Sequence, residues 1–304
     1  MADLRLSAFE SFYVGGCKHQ VESPFFGTDE VTIGAMYVQH LAPHPVAAPY
    51  PVVFIHGGMH TGVTWETTPD GREGWQTLFC RAGFDTYVVD QPWRGRSAPD
   101  LRGLMPGIEP EIEPAQAYVS GARLAERFGR GGGRFPETAL EHYSRQLWPD
   151  FAVPKAVAAG HPGLSDPLAL APLCLLLDRI GPAVLVTHSQ GGHLGWQVAR
   201  AKADMVKAIV AIEPAVTSPG LDDEDFPDIP VCIMWGDNLP DEARTLSKTD
   251  LEIGLALERS RPRVEVDHLP AAGITGNGHM LMMEDNSEAL ATRSMQWIAK
   301  VLQS

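Results

Sequence analysis

Positive charge is scarce in this chain: 24 Lys and Arg stand against 38 Asp and Glu, a net charge of −14 over 304 residues. Such a balance excludes nucleic acid and anionic membrane as expected partners, since neither supplies the cations it would need. No uncharged run reaches membrane-spanning length, and Met1 to Leu6 opens no continuous apolar segment of the signal type. The expectation is a cytoplasmic protein. The four cysteines (Cys17, Cys80, Cys174, Cys232) are scattered without a C-x-x-C pair, so neither a zinc site nor a disulfide framework is indicated. Cys232 lies in an apolar run and reads as a small core residue. The glycine run Gly129 to Arg134 lacks a preceding strand and the G-K-[ST] ending of a phosphate loop, so it reads as a hinge. No internal repeat is evident, and neither a metal nor a cofactor is expected.

What remains is the composition of a soluble globular protein able to bury a full core, with 44% hydrophobic and 20% charged residues. Leu4 to Val14 and Val31 to Leu41 suggest an antiparallel pair at the start of a sheet. Short apolar strands follow at Val52–Ile55, Thr86–Val89, Ala183–Val186, Val206–Ile212, Val231–Trp235 and Val264–Leu269, separated by helical stretches. Those stretches are Trp75–Ala82, Ser165–Leu177, Gly192–Lys202, Asp241–Glu258 and Asn286–Leu302. Strand and helix alternating at this spacing indicate an α/β fold with a mostly parallel central sheet flanked by helices. The rhythm breaks from Ala98 to about Pro162. That segment is rich in Pro and Gly, with short helices expected at Pro114–Arg127 and Pro136–Leu147. It is read as a lid, residues 98–162, inserted into a core domain of residues 1–97 and 163–304.

The stretch that organises the chain is Ala183 to Gly192. A buried strand runs into a tight turn at Thr187 to Gly191 and then a helix, with Ser189 at the apex, the arrangement of a nucleophile elbow. The turn needs compact neighbours two residues either side of the serine; Gly191 meets this, and Thr187 stands where glycine is usual. In an open parallel sheet, ligands bind beyond the carboxyl ends of the strands. Gly58, Trp93, Ser189, Glu213, Asp237 and His279 all fall at such ends. The loop His56 to Gly62 offers backbone N–H groups able to cradle a developing oxyanion. A serine hydroxyl needs a base, and His279, in a glycine-rich loop past the last strand, is the best placed of the eleven histidines. His268 lies within that strand and has less reach. His188 and His60 are candidates for the pocket lining or for packing, and His193 reads as structural. The base in turn needs a carboxylate. Asp237, after the later strand, competes with Glu213, which ends the strand next to the nucleophile's own. Glu213 is preferred for its longer reach and because the Glu213-Pro214 step fixes the backbone where the strand stops.

With these residues in place the chain resembles the α/β-hydrolase superfamily over nearly its whole length. The combination H-G-G at His56, W-E-T-T-P-D-G at Trp65, D-Q-P-W-R-G-R-S at Asp90, H-S-Q-G-G at His188, I-E-P at Ile212 and G-N-G-H-M at Gly276 looks like a group of bacterial carboxylesterases. The resemblance implies a Ser-Glu-His triad with Glu213 as acid, and an oxyanion hole on the N–H groups of Gly58 and Gln190. A serine nucleophile argues against dehalogenase and epoxide hydrolase chemistry. The expected function is cleavage of a small to medium apolar or aromatic ester through an acyl-enzyme. Met59, Trp65, Trp93, His188 and Trp196 are candidate pocket walls. A lactonase or a carbon–carbon bond hydrolase with the same triad is the enzymatic alternative, and a hydrolase-fold binding protein the non-enzymatic one. The expected partner is a small-molecule ester, with a homodimer compatible with this reading.

Overall fold

The computed structural model describes residues 3–23, 25–98, 112–113, 133–147, 153–154, 167–215, 220–237 and 241–303. Eight strands form one sheet: β1 Leu6–Ser23, β2 Gly27–Pro43, β3 Val52–Ile55, β4 Thr86–Asp90, β5 Ala183–His188, β6 Val206–Ile212, β7 Val231–Trp235 and β8 Val264–His268. Their order is β1-β2-β4-β3-β5-β6-β7-β8. The first two run antiparallel, and the six from β4 to β8 are mutually parallel.

Short parallel strands survive here because both faces are buried. β3, β4, β5 and β7 have no exposed position, which is why they read as continuous apolar runs rather than alternating ones. Alternation reappears in where side chains go. Val53, Ile55, Leu185, Ile209 and Ile233 enter one core, while Val52, Phe54, Val184, Val186, Val210 and Met234 enter the other. The first core is closed by α4 Pro167–Ile180, α5 Gln190–Ala201 and α6 Asp241–Ser260. The second is closed by α1 Val63–Glu66, α2 Trp75–Arg81 and α7 Ser287–Leu302, joined by α3 Leu140–Gln146. Fully burying one such aliphatic or aromatic side chain contributes roughly 1.5–3 kcal/mol, so these two layers dominate the stability of the fold.

The opening hairpin is longer than its sequence pattern implies. β1 and β2 pair from Leu6–Pro43 to Ser23–Gly27, yet β2 reaches β4 only through Tyr37 to Leu41. Its outer half therefore extends past the sheet, with Gly15 against Pro172 of α4. Between β4 and β5 the expected helix at Pro136–Leu147 is present as a 3-10 turn leading into α3. The helix expected at Pro114–Arg127 lies outside the described residues, as does the glycine run apart from Gly133 and Arg134. A two-residue antiparallel ladder pairs Ile112–Glu113 with Val153–Pro154, where no strand was expected. All four cysteines are free. No helix among the described residues is long and apolar enough to cross a membrane.

Candidate active site

Among the described residues four non-glycines have positive φ, and each follows a parallel strand: Met59 after β3, Trp93 after β4, Ser189 after β5 and Glu213 after β6. Such conformations cost of order 1–3 kcal/mol each and persist where the surrounding structure over-determines them. Their alignment along one rim of the sheet marks the site before any chemistry is considered.

Ser189 sits at φ 51°, ψ −120° between β5 and α5. The turn is held by its own backbone: Ser189 N–H donates to the Ile212 carbonyl at 3.1 Å, and the Ser189 carbonyl accepts from Gly192 and Ala215, both at 2.9 Å. Gly191 is required by close approach, since a Cβ there would lie 2.7 Å from the carbonyl oxygens of both Ile55 and His56. Thr187 takes the usual glycine place because the helix above it is bare. A Cβ on Gly195 would come within 3.0 Å of the Thr187 methyl. The elbow thus exchanges a small residue in the strand for a small residue one turn into the helix.

The glycine loop after β3 runs directly against the elbow. A Cβ on Gly57 would meet Ser189 Cβ at 2.9 Å, and one on Gly58 would meet Gln190 Oε1 at 2.9 Å. Gln190 opens α5, so its N–H has no acceptor within the helix. Two buried histidines fix the loop. His56 Nδ1–H donates to the Gly57 carbonyl at 2.8 Å, and its Nε2 accepts from Gln91 N–H at 3.1 Å. His60 Nδ1–H donates to the Gly58 carbonyl at 2.8 Å, and its Nε2 accepts the Tyr143 hydroxyl at 2.8 Å. Burial lowers His56 to about 4 and His60 to about 3, so both are neutral braces rather than bases.

Glu213 and His279 are brought together. Glu213 is buried at the end of β6, where Oε1 accepts Gly236 N–H at 2.6 Å and Oε2 faces His279 Nδ1 at 3.7 Å. Oε2 accepts no hydrogen bond among the described residues. Burial, with Asp237 adding a like charge, raises its pKa to about 8 against the single N–H bond that opposes this. Asp237, the competing acid, is exposed, and its carboxylate accepts Gly276 N–H at 2.8 Å. His279 is joined to the elbow through His188, whose ring centroid is 4.7 Å from that of His279. His188 Nε2–H donates to the His279 carbonyl at 2.9 Å. Burial first, then the neighbouring histidines, lower the His188 pKa far below the ordinary value.

The expected pocket walls separate. Met59 and Trp93 are buried at the rim, each with positive φ. Trp65 and Trp196 are wholly buried among core rings instead, Trp65 beside Phe54 and Trp75, and Trp196 beside Phe226. His188 supports the His279 backbone. The Met280 to Met283 run packs in the second core, with Leu281–Met283 forming a 3-10 turn. His193 bonds within its own helix to Gln197, and no group of three metal-ligating side chains occurs among the described residues. Three residues of this neighbourhood went unread in the sequence. Tyr143 comes from α3. Arg72 donates to the Met283 and Glu284 carbonyls, both at 2.9 Å, and Glu284 is a buried carboxylate beneath the His279 loop. Only the W-E-T-T-P-D-G motif hinted at Arg72, which directly follows it.

A sheet whose parallel strands end in a strained serine, a glycine loop and a buried carboxylate facing a histidine is the frame of a hydrolase. The chain belongs to the alpha/beta hydrolase family, whose family model matches residues 52–246. A solved structure of a novel bacterial esterase is 31% identical, covering 99% of this chain and 98% of that one, with a TM-score of 0.82. Probable secreted lipase phiG of a Fungal sp. (strain ATCC 74256) is 28% identical over 338 residues, covering 92% of this chain and 90% of that protein. Family membership with esterase and lipase relatives supports an ester hydrolase.

Proposed function

We propose that the protein is a serine carboxylesterase acting through an acyl-enzyme. The observation that carries this reading is the buried Glu213 carboxylate, with Oε2 facing His279 Nδ1 at 3.7 Å, beside an elbow that strains Ser189. With Nδ1 turned to the carboxylate, His279 Nε2 is the nitrogen that takes the Ser189 proton as Oγ bonds to the ester carbonyl carbon. The tetrahedral oxyanion is held by the N–H groups of Gly58 and Gln190. Its collapse breaks the C–O bond, and the imidazolium returns its proton to the departing alcohol. Water, deprotonated by the same nitrogen, then attacks the acyl carbon, and the proton returns to Ser189 as the acid leaves. Imidazole–carboxylate contacts are often long without substrate and tighten in the reacting complex, which accommodates the 3.7 Å separation.

Residues 98–162 are the lid in this reading. Its support is that Tyr143 reaches His60, while the neighbouring Arg134 donates to the Thr275 carbonyl at 2.7 Å on the loop leading to His279. Placement in the cytoplasm is proposed beside a relative described as secreted; recovery of the protein from the culture medium would reverse it. The test of the activity is turnover of p-nitrophenyl esters of graded chain length beside a lactone panel, with labelling by a serine-directed fluorophosphonate. Ester turnover and labelling that both vanish in Ser189→Ala are expected. Turnover of lactones alone would move the reading to a lactonase, and labelling unchanged in Ser189→Ala would end it.

A further inference from the structure

The His279 loop rests on a second buried acid, Glu284, that the reaction above does not use. Its Oε1 accepts Gly278 N–H at 2.6 Å, and its Oε2 accepts the Asn277 side-chain N–H. Both donors lie immediately before His279. The Asn277 amide is paired reciprocally with that of Asn286, at 2.8 and 3.0 Å. The Asn277 carbonyl accepts Asp237 N–H at 3.0 Å, one residue from the Gly236 N–H that holds Glu213. The acid and the base are therefore tied to one turn. Glu284 itself is anchored from outside the loop, since its carbonyl and that of Met283 accept from Arg72.

From this we propose that Glu284 is a positioning residue for His279, its two carboxylate oxygens setting the path of Asn277 and Gly278 and hence the direction of the ring. The inference rests on the reading of His279 as base. A carboxylate suits the place because two N–H donors converge on two separate oxygens, which an amide or a hydroxyl cannot both accept. Leaving a charge buried is costly unless its oxygens are satisfied, and here both are. The charges around it are Glu213 from the end of β6, Asp285 beside it, and the guanidinium groups of Arg72 and Arg134, the latter paired with Asp285 at 3.0 Å. Burial raises Glu284 to about 7. A proton taken up there would replace one acceptor with a donor facing N–H, and the loop would slacken.

The test is Glu284→Gln measured alone and combined with His279→Ala. A small misplacement of a catalytic group costs up to about 100-fold. The expectation for Glu284→Gln is a kcat lower by roughly 10- to 100-fold with KM within about twofold of the parent. The acid limb of its log kcat/KM profile should lose one unit of slope, because one of the ionisations that activity requires is gone. In the His279→Ala background the same substitution should change nothing further. An equal loss in both backgrounds, or an unchanged kcat and profile, would overturn the positioning role. Should Glu284→Gln fail to fold, Asn286→Ala carries the test: a severalfold lower kcat that disappears without His279 supports it, and an unchanged kcat overturns it. Full activity of His279→Ala alone would instead overturn the base assignment, a separate failure.

Discussion

Replacing Glu213 with glutamine should make the protein more stable and far less active, and the two effects should have different pH signatures. The carboxylate is fully buried with one N–H donor, and its pKa rises from 4.5 to about 8. Between those values the native state holds a proton that the unfolded chain releases, so stability falls as pH rises through this window. A shift of this size corresponds to about 5 kcal/mol at its limit, of which on the order of 4 kcal/mol lies between pH 5 and 8.5. Glutamine keeps the shape and removes the titration. At roughly 2 °C per kcal/mol for a chain this long, the melting gap in favour of Glu213→Gln should widen by about 8 °C from pH 5 to 8.5. Thermal melts of both proteins across that range measure it. Toward pH 8.5, where Glu213 is ionised, kcat should drop at least ~100-fold, while Asp237→Asn loses far less, because the acid holds the tautomer of the base and stabilises its charge. A melting gap that does not change with pH would refute the desolvation argument. A larger catalytic loss in Asp237→Asn would refute the choice of acid.

Other substitutions probe the supports around that pair. Gly191→Ala should cost about 2–3 kcal/mol from overpacking against two carbonyl oxygens and abolish fluorophosphonate labelling, read by melts and gel fluorescence. Tyr143→Phe removes the hydroxyl that His60 accepts; it should destabilise by about 1 kcal/mol and lower kcat severalfold by loosening the Gly58 peptide. His188→Leu removes the donor to the His279 carbonyl. Its kcat should fall about tenfold or more with KM nearly unchanged, since a misplaced base weakens the transition state rather than substrate binding.

The central strands were legible because each is short, apolar and bounded by turn residues, so Val52–Ile55 and Val231–Trp235 coincide with their expected ranges. The place of Ser189 in the turn after β5 and the approach of His279 to Glu213 were legible because both follow from where the parallel strands end. The hairpin's outer half was not. Beyond Val14 and before Val31 the chain is polar and glycine-containing, and its pairing is set by the partner strand rather than by a buried face. Glu284 was invisible for a related reason: an acid next to Asp285 and Asn286 reads as solvated surface, and only the fold brings Gly278 and Asn277 onto it. Trp65 and Trp196 were misplaced because an aromatic ring near a motif carries the same letter whether it faces a cavity or a core.

The left-handed backbone at Met59, Trp93, Ser189 and Glu213 has a consequence for selection experiments. Glycine relaxes such geometry by roughly 1 kcal/mol, so a library sorted only for folded protein should enrich glycine at Ser189 and Glu213, whereas at the buried Met59 and Trp93 the lost side-chain burial outweighs that relief. One sorted for turnover should deplete it at Ser189 and Glu213. The positions where the two sorts disagree would outline the reactive rim without any knowledge of what the enzyme cleaves.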